Sequence, residues 1–351
     1  MSRVGVKSKL QFWGYRISTV CKSLKTLYTL PPEKVNAFLD SYEIWDFDWA
    51  NEADLIKKMG PDYYSKVKQK LIDYYSVLNH LCAVGQVEKM YIPPAMDLSK
   101  SIMANQTLFE QKMGRDLGLK KGSFVLDIGC GRGRVANQMA AYTGANVTGI
   151  NIDPGQLKSA EAYAKGNGLS EQCQFKQADL NEIPYPFKDN SLDAIYQIQV
   201  FSYSKNLEKL FVDLHRILKP GGKLAFLDWV SLPNFNPNDA QHQEMMRQVK
   251  PLIGAIGTPT VDQFTKLLKK AGFKILVNEN ASIDGLQSGL IANADKFFTR
   301  INHLINFCVR CKILPRHFKL LFDRLTKYGD AFVKADQERL VTTSHYIVAQ
   351  K

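Results

Sequence analysis

The sequence predicts an α/β protein built on a mostly parallel sheet, and three observations carry that prediction. From Ser123 onward, short apolar runs alternate with helical patterns. A turn with three spaced glycines, Gly129, Gly131 and Gly133, joins the first apolar run to the first helical pattern. Further on, Leu218-Lys219-Pro220-Gly221-Gly222 ends a helix and returns the chain to the sheet.

Taken in order, the pattern gives strand 123–128, a helix to about Tyr142, strand 146–150, helix 155–166, strand 173–177, strand 192–198, helix 206–218 and strand 223–228. A polar stretch at 231–240 follows, then a helix from Val261 to Ala271, a strand at 273–277, a mostly helical segment 290–335 and a terminal strand 343–349. The first 105 residues read as helical, with aromatic clusters at Tyr42, Trp45, Phe47 and Trp49 and at the pairs Tyr63–Tyr64 and Tyr74–Tyr75. The division expected is a basic arm and helical cap over 1–105, a ligand-binding core over 106–232, and a part at 233–351 that completes the sheet around an insertion at 286–325.

The chain has 351 residues and a net charge of +12, enough length for about two domains. The first thirty residues carry Arg3, Lys7, Lys9, Arg16, Lys22 and Lys25 and no acid. That arm is expected to offer a peripheral contact with an anionic membrane, and with no RNA-binding signature beside it nucleic acid is not an expected partner. No apolar run is long enough for a span, and six scattered cysteines suit a reducing, cytoplasmic setting. Cys308 and Cys311 form a single C-x-x-C without a second pair, and no convincing set of metal ligands is seen.

In "DIGCGRGR" the glycines permit a tight turn and close approach of a ligand, and the helix that follows presents free N–H groups. Asp127 precedes the first glycine, and an acid there suits a cationic ligand better than a pyrophosphate. The nucleotide part of such a ligand would cross the carboxyl ends of the strands. Asn151, with Asp153 nearby, would meet ribose hydroxyls, Asp179 an adenine amino group, and Gln197 the amino-acid end.

In order, D-x-G-C-G-x-G, V-T-G-I-N, A-D-L, D-A-I-Y and L-K-P-G-G resemble the class I S-adenosylmethionine methyltransferases. "TGANVTGIN", "DWV" at 228–230 and the ending "HYIVAQK" are similar to the sterol C-methyltransferases, over roughly Leu71 to Lys351. The resemblance implies a Rossmann-like seven-stranded mostly parallel sheet with an N-terminal helical cap and a C-terminal helical insertion. It implies S-adenosyl-L-methionine as cofactor, held by Asp127, Gly129, Cys130, Gly131, Asn151, Ile152, Gln156, Asp179, Leu180 and Gln197. A sterol or related lipid is the implied acceptor, with a place in sterol metabolism; the expected location is cytoplasmic, with peripheral attachment to the endoplasmic reticulum membrane as the alternative.

The acceptor side departs from the family. Its Y-E-x-G-W-G stretch reads "CAVGQV" at 82–87, and its E-A-T-C-H-A reads "QVFSYS" at 199–204, so Gln199 replaces a glutamate and Tyr203 a histidine. His80 stands where the family usually has an aspartate. Methylating a side-chain alkene generates a carbocation that rings and a carboxylate stabilise, whereas carbon 4 of a 3-keto sterol reacts through an enolate that needs a base and a hydroxyl donor. The expectation is therefore a branch acting on ring-A carbon 4, with His80 and Tyr203 as catalytic residues. The alternatives are methylation of side-chain carbon 24 or of another lipid, and a silent binding protein of the same fold. The apolar residues of 286–325, from Leu290 to Val309, are expected to pack on the sheet; a lid over a lipid or a membrane-lying face is the alternative.

Overall fold

The computed structural model describes residues 6–85 and 87–351, with the backbone alone at 6–16 and 50. Arg3 and Gln86 lie outside the described residues, as do the side chains of Lys7, Lys9 and Arg16. The helices and strands in chain order are α1 (Val6–Tyr28), α2 (Pro32–Asp40), α3 (Glu52–Met59), α4 (Tyr63–Val84), α5 (Ile102–Asp116), β1 (Phe124–Ile128), α6 (Arg134–Thr143), β2 (Asn146–Asn151), α7 (Pro154–Gly166) and β3 (Cys173–Gln177). There follow β4 (Leu192–Ile198), α8 (Leu207–Ile217), β5 (Leu218–Ser231), α9 (Ala240–Ile253), α10 (Val261–Lys270), β6 (Lys274–Asn280), α11 (Ser288–Arg310), α12 (Arg316–Leu325), α13 (Gly329–Gln337) and β7 (Val341–Gln350).

The chain divides into two compact units. The larger comprises Ile44–Tyr64, Tyr91–Ala292 and Tyr328–Lys351, and the smaller Met1–Glu43, Ser65–Met90 and Asn293–Lys327. Ile44–Tyr64, expected within the helical cap, thus belongs with the sheet.

The larger unit holds seven strands in the order β3-β2-β1-β4-β5-β7-β6. β1 to β5 are parallel, and β7 runs antiparallel to both β5 and β6. β1 and β4 are buried along most of their length because both faces are covered. Leu126, Ile128, Ile195 and Phe226 pack with α8 and α10 on one face. Val125, Ala194, Tyr196 and Ala225 pack with α5, α6 and α7 on the other. Phe201, Phe226 and Phe264 lie with ring centroids 5.0–6.3 Å apart and anchor the turn after β4 to the first of these cores.

Two departures from the expected elements have physical reasons. α9 has no counterpart in the sequence reading, because its apolar residues are sparse and Pro251 sits inside it. The helix begins on Asp239, whose carboxylate accepts from Gln241 N at 2.7 Å and His242 N at 3.2 Å. β5 starts at Leu218 rather than after the glycines, since helix α8 ends at Ile217 and Leu218 already pairs with Leu192.

The segment Tyr91–Asp97 is tied down almost entirely by neutral side chains. Gln106 Nε2 donates to Tyr91 O at 3.0 Å, Gln287 Nε2 to Pro93 O at 2.9 Å, and Asn105 Oδ1 accepts from Met96 N and Asp97 N at 2.8 Å. Gln199 adds a two-way bond: its Nε2 donates to Ile92 O at 2.8 Å and Thr343 O at 3.1 Å, and its Oε1 accepts from Ile92 N at 3.2 Å.

The smaller unit is helical. Phe38, Tyr42 and Tyr74 form its aromatic centre, with Phe38 and Tyr74 stacked at 5.9 Å, and the Arg324 guanidinium sits 3.9 Å over the Tyr42 ring. Asn302 and Asn306 both donate to Asp323 Oδ1, at 3.0 and 3.1 Å, joining α11 to α12. No helix among the described residues is long and apolar enough to cross a membrane.

Candidate functional site

The glycine turn lies at the carboxyl end of β1. Gly129 N and Cys130 N both donate to Ile150 O, at 2.9 and 3.0 Å, so the turn is fastened to the end of β2. All three glycines are left-handed, with φ of 72°, 52° and 69°. Their surroundings differ. A Cβ on Gly129 would lie 2.5 Å from Val200 Cγ2, and one on Gly133 2.7 Å from Ala160 Cβ, so packing closes both positions. At Gly131 the nearest atom is the Gln156 amide oxygen at 3.2 Å, a movable polar group. Gly131 is therefore where a ligand can approach the backbone.

Gly129→Ala should cost at least ~3 kcal/mol, from positive φ and overpacking together, and should abolish cofactor binding. Melting temperature and cofactor calorimetry check it, and a variant with wild-type stability would contradict the packing account.

Cys130 is buried against Gly149. Burial pushes its thiol well above the usual range, so it packs rather than reacts. Asp127 is buried as well; Tyr196 Oη donates to its Oδ2 at 3.0 Å. Burial, opposed by that hydrogen bond and reinforced by the charge of Glu110, pushes its carboxyl up to about 8. A cation bound nearby would offset that cost.

Asn151 ends β2, and its Oδ1 accepts from Ile152 N at 2.8 Å. Asp153, expected beside it at the ribose, instead caps α7: its Oδ1 accepts from Gly155 N at 2.7 Å and Gln156 N at 3.3 Å. Gln156 is buried beneath Gly131, and Leu180 packs on the core cluster of β1, β4 and α8. Gln197 is fully buried, with Nε2 donating to Asp228 Oδ2 at 2.7 Å and Oε1 accepting from Val200 N at 2.8 Å. Both ends of its amide thus serve the turn after β4. Asp228 also accepts from Phe201 N at 2.9 Å and Trp229 N at 2.8 Å. Burial outweighs these bonds and pushes its carboxyl up to about 6.

Asp179 stands after β3, where Tyr64 Oη donates to its Oδ1 at 2.6 Å. Asn181 Nδ2 donates to the same phenol at 2.8 Å and to Tyr203 O at 3.0 Å. Burial, then the carboxylate, hold the Tyr64 hydroxyl far above the usual tyrosine range, so it stays a donor. Lys205 lies 4.9 Å over the Tyr63 ring and 5.2 Å over Tyr64, and pairs with Glu52 at 2.8 Å.

Ile44–Tyr64 therefore borders the site that the glycine turn opens. Trp49 Nε1 donates to Ser202 O at 2.9 Å, and the Trp45 and Tyr203 ring centroids are 6.5 Å apart. Lys250 Nζ, buried, donates to Phe47 O at 2.8 Å, and burial pulls its ammonium down to about 8 against the charges of Asp48 and Asp46. Tyr203 Oη donates to Gly254 O. The sequence shows these rings as clusters, but only the fold brings them to the ends of β4 and β5.

The two residues expected to be catalytic belong to different units. Tyr203 is in the larger, whereas His80 is in α4 of the smaller, with Nδ1 3.3 Å from Ser23 Oγ. No group of His, Cys, Asp and Glu among the described residues could hold a metal ion.

A methyltransferase-domain family model matches residues 126–226. The sterol 24-C-methyltransferase of Pneumocystis carinii is 30% identical over 261 residues, covering 67% of each chain. Botryococcene C-methyltransferase of Botryococcus braunii is 31% identical over 263 residues, covering 72% of this chain and 67% of its own. Sterol 24-C-methyltransferase ERG6B of Gibberella zeae is 27% identical over 322 residues, covering 86% and 83%. Among solved structures, the [4+2]-cyclase SpnF superposes with a TM-score of 0.65 at 20% identity over 81% of this chain and 96% of its own. The cyclopropane synthase MmaA2 from Mycobacterium tuberculosis does so with 0.62 at 16% identity, over 75% and 90%. These two share the fold. With the acid-led glycine turn, the strand order and relatives matched over two thirds of their length, the chain belongs to the sterol 24-C-methyltransferase family of class I S-adenosylmethionine-dependent methyltransferases.

Proposed function

We propose that this enzyme methylates an isoprenoid alkene of a sterol or sterol-like lipid, at side-chain carbon 24 or its equivalent. One observation carries the reading: Trp45 pairs with Tyr203 and Trp49 with Tyr64 at the turn after β4, where Phe201 N donates to the buried Asp228 and Tyr64 Oη to the buried Asp179. The rings and acid missing from 82–87 argue against cation chemistry, but the segment 44–64 brings rings from elsewhere and the ends of β3 and β5 bring the acids. The relatives named for sterol carbon 24 and for botryococcene favour the same acceptor class.

The residues present fit the cofactor. Gly131 leaves room for close backbone approach, Asp127 favours a cation, and Asn151, Ile152, Gln156, Asp179 and Leu180 line the ends of β2 and β3. When bound, S-adenosylmethionine supplies an electrophilic methyl group on a cationic sulfur. In the proposal Asp179, with Tyr64 on one carboxylate oxygen, reads the adenine amino group. Gln197 acts on the methionine end by holding Asp228 and the Val200 turn in place. The rings of Trp45 and Tyr203 face the cation that forms on the acceptor, each such contact contributing about 0.5–2 kcal/mol.

Methylation of ring-A carbon 4 through an enolate is the second reading, favoured by the loss of Y-E-x-G-W-G and by the hydroxyl at 203 in place of an imidazole. There Tyr203 would donate to the 3-oxygen and His80 would accept the carbon-bound proton.

The two readings separate on Tyr203. If the ring matters, Tyr203→Phe keeps most of kcat/KM and Tyr203→Leu loses about tenfold or more. If the hydroxyl matters, Tyr203→Phe alone falls by about a hundredfold or more, and His80→Ala falls with it. Methyl-deuterated cofactor and a panel pairing 3-keto with 3-hydroxy sterols, and saturated with unsaturated side chains, locates the methyl by mass spectrometry. Label on ring A of the 3-keto members alone would reverse the order of the two readings.

A further inference from the structure

The sequence of 286–325 mixes apolar residues at helical spacing with a dense run of cations, and the structure shows which of them are spent on packing. On α11, Asn302 and Ile305 are buried. The opposite side is bare: Phe297 is 44% exposed, Leu304 61% and Phe307 61%. Helical periodicity puts these three on one stripe, with the exposed Lys296, Arg300 and Arg310 along the same side. Beyond the helix, the turn to α12 presents Ile313, 62% exposed, between the exposed Lys312 and Arg316.

Large apolar side chains at this exposure, contiguous along a helix, mark a surface that something else covers. Charge says what. Residues 293–327 hold eight lysines and arginines and two aspartates. A second copy of the chain would set one strongly basic face against another, which repulsion opposes. An anionic lipid surface meets both needs, because the rings and aliphatic groups enter the interface while the cations reach headgroup phosphates.

We propose that the exposed face of α11 and the following turn form a monotopic docking surface for anionic membrane. It reaches the bilayer through Phe297, Leu304, Phe307 and Ile313 and is held there by Lys296, Arg300, Arg310, Lys312 and Arg316. The face lies within the smaller unit and does not depend on which carbon of the acceptor is methylated.

The test is co-sedimentation of the full chain with phosphatidylcholine vesicles, with and without about one part in three phosphatidylserine. Wild type should bind the anionic vesicles, less so at high salt and far less to the neutral ones. Leu304→Ser with Phe307→Ser, and separately Lys312→Glu with Arg316→Glu, should each weaken binding by at least about tenfold at unchanged melting temperature. Binding unaffected by both pairs overturns the proposal, as does failure of wild type to bind either vesicle. A lipid-free dimer in sedimentation velocity that Phe307→Ser dissociates would assign the face to self-association instead. Methyl transfer to a detergent-dispersed acceptor should be the same in these variants as in wild type, while transfer to a vesicle-embedded one falls. Vesicle binding without any methyl transfer would count against the proposed function and leave the docking surface standing.

Discussion

Replacing the Gln199 amide by a carboxylate, Gln199→Glu, a change of one heavy atom without change of shape, should cost about 1–3 kcal/mol at pH 8, the scale of a half-buried polar group left against the wrong partners. The amide both donates and accepts: its nitrogen faces the carbonyl oxygens of Ile92 and Thr343, and its oxygen takes the Ile92 N–H. A carboxylate keeps the last of these bonds and sets negative charge against two acceptors. The backbone offers no relief, since Gln199 holds a left-handed φ of 57° and cannot move without losing the turn after β4. The loss should reverse in acid. The native state would raise the pKa of the introduced carboxyl above that of the unfolded chain, so its contribution is intact below the unfolded value and disappears as pH rises through the folded one. Chemical denaturation of Gln199→Glu at pH 5 and pH 8 checks this; equal stability at the two would show that Tyr91–Asp97 is not fixed by this side chain.

Asp127→Asn should separate stability from cofactor affinity. Asp127 is buried beside Glu110 with Tyr196 as its donor, and its carboxyl is pushed up to about 8 by burial. The group therefore binds its proton more tightly in the native state. Its stabilising contribution is whole below about pH 4 and is lost as pH rises through about 8, with a slope of ~1.4 kcal/mol per pH unit inside that window. The amide variant should lose that slope, unfold at a higher temperature than wild type at pH 8, and bind S-adenosylmethionine at least about tenfold more weakly. The product S-adenosylhomocysteine should be affected less, because it keeps the α-ammonium but lacks the sulfonium charge. Equal losses for the two ligands would assign Asp127 a purely architectural part.

The parallel core was legible because its signals are local. A strand run into three glycines, V-T-G-I-N, A-D-L and L-K-P-G-G each fix a strand end within a few residues, and β3 and β4 fall at the bounds 173–177 and 192–198 read from the sequence. The cofactor turn could be read for the same reason. The acceptor side was not legible, because its parts meet only in three dimensions. Trp45 and Tyr203 are far apart in sequence, and nothing near Trp45 says that it packs beyond β4. α9 escaped because a helix carrying Pro251 and only a narrow apolar edge has almost no periodic signal. Asp153 misled because an acid just past a strand end serves a ribose and a helix N-cap equally well, and Pro154 in the first turn was the clue to the cap. Gln199 registered as a lost glutamate, whereas its partners show an amide chosen for being donor and acceptor at once.

The neutral fastening of Tyr91–Asp97 has a consequence for how this enzyme answers its surroundings. Carboxamides and hydroxyls make most of the bonds that hold that segment, and those groups do not titrate in any ordinary range; the carboxylate among its holders is Glu110, which accepts from Tyr91 Oη at 2.8 Å. Asp127 and Asp228, at the carboxyl-end halves of β1 and β5, change charge between about pH 6 and 8. Acidification thus changes the electrical potential of the crevice at Asp127 and Asp228 while the amides that fasten Tyr91–Asp97 keep their donors and acceptors, so pH acts on this enzyme first through the field that a cationic ligand meets.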